Sequence, residues 1–64
     1  MKVRHDRDEY TGLWYREIIY KSHKRLSQLK HEYELKGYKT WLNYWGGLAD
    51  EWILTVEMGE NYGK

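Results

Sequence analysis

The chain has 64 residues, no cysteine and no proline, and a net charge of +1. Disulfides, zinc–thiolate sites and thiol chemistry are therefore excluded, and the near-neutral balance is not that of a strong nucleic-acid binder. A chain of this size buries only about 60% of the surface its unfolded form exposes, so the four Trp and seven Tyr must carry much of the core.

The charge is unevenly distributed. Lys and Arg against Asp and Glu stand at four to four over residues 1–20, six to two over 21–39, and one to four over 40–64. No basic n-region with an apolar h-region marks a signal peptide, and no apolar run reaches the ~20 residues of a membrane span. The expectation is one cytoplasmic domain with no membrane association.

In chain order, residues 1–9 (MKVRHDRDE) are dominated by charge. They fit either a short edge strand or a flexible arm. Tyr10-Thr11-Gly12 reads as a turn, with Gly12 able to take φ > 0. Leu13–Tyr20 is rich in aromatic and β-branched residues and reads as a strand; its rival is a longer helix running on to Lys36. Ser22 favours the strand, because a serine there serves better as a helix N-cap than inside a helix.

Ser22–Lys36 then reads as the single helix. Leu26, Leu29 and Tyr33 recur at i, i+3 and i+7 on one face, and Gly37 sits where a helix ends in a left-handed residue. Two strand-like runs follow, Tyr38–Trp45 and Glu51–Met58, joined through residues 46–50 as a hairpin. Gly59 ends the last strand, and residues 60–64 read as a flexible tail. The fold expectation is α+β in β-α-β-β order, with one helix on one face of a three- or four-stranded, mainly antiparallel sheet. The last strand should lie between the other two.

Alternation assigns Trp52, Leu54, Val56 and Met58 to the face under the helix. Leu42 joins them, which leaves Trp41, Trp45 and Lys39 with Ile53 on a face without a helix. Leu13–Tyr20 cannot be assigned in this way, since both its faces are largely apolar.

No motif for catalysis emerges. His5, His23 and His31 lack the spacing of a shared metal site. Asp50 and Glu51 sit at a turn, not in a cleft. Gly46-Gly47 leads into a strand and not into a helix that could cradle phosphate. The expected function is therefore non-enzymatic and cofactor-free: a small binding, regulatory or inhibitor module. Its expected surface is Lys39, Trp41 and Trp45, with basic support from Lys21, Lys24 and Arg25. A protein partner, a second copy of the chain included, ranks first, because Trp, Tyr and Arg are the usual interface anchors. Self-association as a dimer, through the uncovered sheet face or a strand edge, is expected of so short a chain. The alternative is nucleic acid, with bases stacked on Trp41 and Trp45.

Overall fold

The structure, a computed structural model, describes residues 1–46 and 50–60. Strands β1 (Lys2–Arg7) and β2 (Trp14–Tyr20) precede helix α1 (His23–Leu35), and β3 (Thr40–Gly46) and β4 (Glu51–Gly59) follow it. The strands form one antiparallel sheet in the order β1-β2-β4-β3. The last strand thus lies inside the sheet, as expected, and residues 1–9 supply an edge strand and not an arm. Residues 47–49 of the hairpin connection and 61–64 of the expected tail lie outside the described residues.

Local chemistry sets the boundaries. Asp8 organises the β1–β2 connection: its carboxylate accepts from the amides of Tyr10 (2.8 Å) and Thr11 (3.4 Å), and its carbonyl accepts from Gly12 at 2.8 Å. Gly12 has φ +75°, the left-handed conformation that glycine adopts without a Cβ clash. The Ser22 hydroxyl accepts from the Arg25 amide at 3.1 Å and caps α1.

The far end of α1 moves one expected boundary. The Gly37 amide donates to the Glu34 carbonyl, and the Tyr38 amide to that of Tyr33, at 3.0 and 3.1 Å. This is a Schellman cap, completed by the apolar contact that usually accompanies it: the Tyr33 and Tyr38 rings meet edge-on at 5.7 Å. Tyr38 therefore belongs to the helix cap, and β3 begins at Thr40 instead of Tyr38.

The core lies between α1 and one sheet face. Ile18, Leu26, Leu54 and Val56 are buried there, with Leu29, Tyr33, Leu42, Trp52 and Met58 packed around them. The helical stripe and the β4 alternation fall where the sequence places them, and Leu35 is exposed on the outer side of α1. Arg16, two residues before Ile18, ties β2 to the helix and to β1. Its Nη1 donates to the Tyr33 hydroxyl at 2.8 Å, and its Nε to His5 Nε2 at 3.0 Å. Among the described residues, no helix is long and apolar enough to cross a membrane.

Candidate functional site: the open sheet face and the β3 edge

The face opposite α1 carries Lys2, Arg4 and Asp6 from β1, with Tyr15, Glu17 and Ile19 from β2. It continues through Glu51, Ile53, Thr55 and Glu57 of β4 to Trp41, Asn43 and Trp45 of β3. This follows from the register: Lys2, Ile19, Ile53 and Asn43 lie abreast in one row, and Arg4, Glu17, Thr55 and Trp41 in the next. Side chains directly abreast in an antiparallel sheet share a face.

This face is not simply wet. Ile19 and Ile53 are only 4% and 6% exposed although no helix covers them. A line from Arg4 to Trp45 crosses β2 and β4 at these two residues, and the two side chains meet along it: the Arg4 guanidinium lies 5.6 Å from the centre of the Trp45 ring. Sheet twist lifts opposite corners toward each other, so residues at the two edges close over the middle. Arg4 is held in place by Glu17, at 3.2 Å. A bulge at the end of β3, where Tyr44 opposes Trp52 but Gly46 opposes Glu51, re-aims the strand at Trp45.

Trp41 lies farther along the same face, its ring 6.3 Å from that of Tyr15. The two tryptophans remain 44% and 50% exposed. Beside them a cleft of about 400 Å³ is lined by Asp6, Arg7, Asp8, Tyr15, Glu17 and Thr55. Its carboxylates already serve the fold: Asp6 accepts from the Arg7 amide, Asp8 from the turn amides, and Glu17 pairs with Arg4.

The expected site residues divide between two layers. Lys39, Trp41 and Trp45 share the open face. Lys24 and Arg25 stand in the first turn of α1, across the sheet from the tryptophans, and Lys21 lies at the β2–α1 junction. The structure does not bring Lys24 and Arg25 onto the aromatic surface. In their place the open face has Lys2 and Arg4, which the sequence reading left in an unassigned charged segment. Nothing local in that segment points to Trp45, because the contact spans the whole sheet.

The other side of β3 is clamped differently. The Tyr44 hydroxyl donates to Asp50 Oδ1 at 2.5 Å, and its ring packs edge-on against Trp52 at 5.2 Å. Trp52 in turn meets His23 at 4.5 Å. The Asp50 hydrogen bond holds the Tyr44 phenol above its usual pKa, since ionising it would lose the donor and set an anion beside a carboxylate.

Among the described residues, no strand pairs with the outer side of β3. The Glu57 amide donates to the Lys39 carbonyl at 3.0 Å, so Lys39 and Glu57 form a hydrogen-bonded pair. By alternation Trp41 and Asn43 also bond to β4, while Thr40, Leu42 and Tyr44 turn their N–H and C=O groups outward.

Comparison with protein-family models, curated proteins and solved structures found no match.

Proposed function

We propose that this chain is a non-enzymatic protein-binding module that works through its open sheet face, centred on Trp41 and Trp45. The observation that carries this reading is the half-exposure of both tryptophans on a face with no helix, above isoleucines that are already dry. Broad aromatic surface of this kind releases water on contact and supplies interface anchors.

Charge favours a protein over nucleic acid. Lys2, Arg4 and Lys39 on this face stand against Asp6, Glu17, Glu51 and Glu57, three cations to four anions. A phosphate backbone would meet as much repulsion as attraction there. Base stacking on Trp41 and Trp45 remains the second reading, supported by the rings alone.

The test is a titration of the chain with labelled single- and double-stranded oligonucleotides at low and physiological salt, with sedimentation of the chain itself in parallel. The expected result is weak oligonucleotide binding that Trp41→Ala barely changes, and assembly that it weakens. Tight, salt-sensitive binding that falls with Trp41→Ala by ~1–3 kcal/mol would replace the protein-binding reading with the nucleic-acid one.

A further inference from the structure

Each end of the sheet presents an edge strand, and the two differ in chemistry. β1 is KVRHDR, with Lys2, Arg4, His5, Asp6 and Arg7 among its six residues. Charged side chains are a common means of preventing edge-to-edge pairing. β3 is TWLNYWG and has no ionisable group except the Tyr44 phenol, which is already bonded to Asp50. It is an uncharged, aromatic edge whose outward backbone groups meet no strand among the described residues.

Resting on the open-face reading above, we propose that the partner is a second copy of this chain, joined β3 to β3 about a two-fold axis at Asn43. An axis at that residue sets Leu42 opposite Tyr44 of the second copy, and Tyr44 opposite its Leu42. These are the residues whose N–H and C=O groups point outward, so both pairs exchange backbone hydrogen bonds. The same axis sets Trp41 opposite Trp45 of the second copy, and Asn43 opposite Asn43, all on the open face. They fall at non-hydrogen-bonded positions, where facing side chains come closest.

Aromatic pairs then flank an amide pair able to hydrogen-bond to its own mate, and no charge meets a like charge. An axis at Leu42 or Tyr44 also pairs outward-pointing residues with each other, but it sets Asn43 opposite Trp41 or Trp45 and leaves the two tryptophans unmatched. An axis between two residues sets outward groups against inward ones and loses the ladder. The side chains of β3 therefore favour the register centred on Asn43, where tryptophan meets tryptophan and amide meets amide. The bulge at Trp45–Gly46 limits the pairing to the middle of the strand, and the charged β1 edge gives a second dimer nothing to extend. The assembly closes at two copies instead of growing into a filament.

The experiment combines two substitutions at Asn43, which is exposed and directs its side chain off the open face. Asn43→Lys places like charges opposite each other across the axis without disturbing the core. Sedimentation equilibrium of the intact chain should show a dimer, and Asn43→Lys should be a monomer with an unchanged circular dichroism spectrum. Asn43→Cys supplies the chain's single thiol, at a separation from its mate suited to a disulfide. Under mild oxidation it should cross-link far faster than Gln28→Cys on the outer face of α1.

A chain that is monomeric throughout, with Asn43→Cys cross-linking no faster than Gln28→Cys, overturns the edge pairing and leaves the open-face reading to its own test. A dimer that survives Asn43→Lys but is lost in Trp41→Ala also overturns it, in favour of face-to-face packing on the same tryptophans. A dimer that survives both substitutions removes the edge and the face together.

Discussion

The two faces of the sheet solve the same problem by different means. On one, α1 lays Leu26 over Ile18, Leu54 and Val56 and seals them from water. On the other, Ile19 and Ile53 are nearly as dry, yet their cover is side chain alone: Arg4 from one edge reaching Trp45 from the other. A helix is a permanent lid. Two side chains can be displaced or added to by a partner, which is the ground for placing the proposed binding on the second face.

The largest expected effect breaks this comparison at its centre. Leu54 and Ile53 are neighbours in sequence and face opposite ways. Leu54→Ala leaves a cavity sealed beneath the helix and should cost about 3–5 kcal/mol, in the upper part of the range for core truncations. Ile53→Ala lies under a cover that can settle into the gap, and should cost about 2 kcal/mol or less. Urea midpoints of the two variants decide it; equal losses would make the open face a second core and not a working surface.

Next in size is the cover itself. Arg4→Ala removes the cation over Trp45, worth about 0.5–1 kcal/mol at an exposed site, along with a surface ion pair that adds little. The expected loss is about 1 kcal/mol, accompanied by a change in Trp45 fluorescence. An unchanged denaturant midpoint would mean that Ile19 and Ile53 do not depend on Arg4.

A smaller effect of opposite sign comes from the helix layer. The first turn of α1 contains no acidic residue and carries Lys24 and Arg25, against the preference of a helix N-terminus for negative charge. Arg25→Glu completes a capping box with Ser22 and should stabilise the chain by about 0.5–1 kcal/mol. Because Arg25 lies across the sheet from the tryptophans, the substitution should leave assembly unchanged. Weakened assembly would return Arg25 to the binding surface.

The smallest effects are in the pH profile. Lys30, donating to Glu34 at 3.0 Å, holds that carboxyl below its usual pKa. A carboxyl depressed in the folded state contributes stability above its unfolded pKa and loses it as the pH falls through the folded value. Tyr44 is raised, and its contribution is present below the unfolded value of ~10 and lost as the pH rises through the folded one. Glu34→Gln should flatten the acid limb of the stability curve, and Tyr44→Phe the alkaline limb. Denaturation midpoints across pH check both.

Much of this architecture is legible in the residues. Ser22, the Leu26–Leu29–Tyr33 stripe and Gly37 mark the helix, and β4 alternates cleanly because its two sides differ in polarity. β2 resists the same reading for a physical reason: Ile18 and Ile19 point to opposite faces and both are buried, so there is no polar side to find. Placing Trp41 and Trp45 on the uncovered face needed only the β3 alternation. What the sequence could not provide was anything that depends on contacts across the sheet. The Arg4–Trp45 closure joins strands at its two edges, and the separation of Lys24 and Arg25 from the tryptophans appears only once the helix has chosen its face.

The tryptophans themselves give the most direct test, because Trp52 lies on the covered face and Trp41 and Trp45 on the open one. Their indole N–H resonances, assigned by single substitution, can be followed as the chain is diluted. The account predicts that Trp41 and Trp45 shift together between the assembled and dispersed states, while Trp52 holds its position. Resonances of Trp41 and Trp45 that stay fixed on dilution, or a Trp52 signal that moves without them, would contradict the claim that the open face is where this molecule meets its partner.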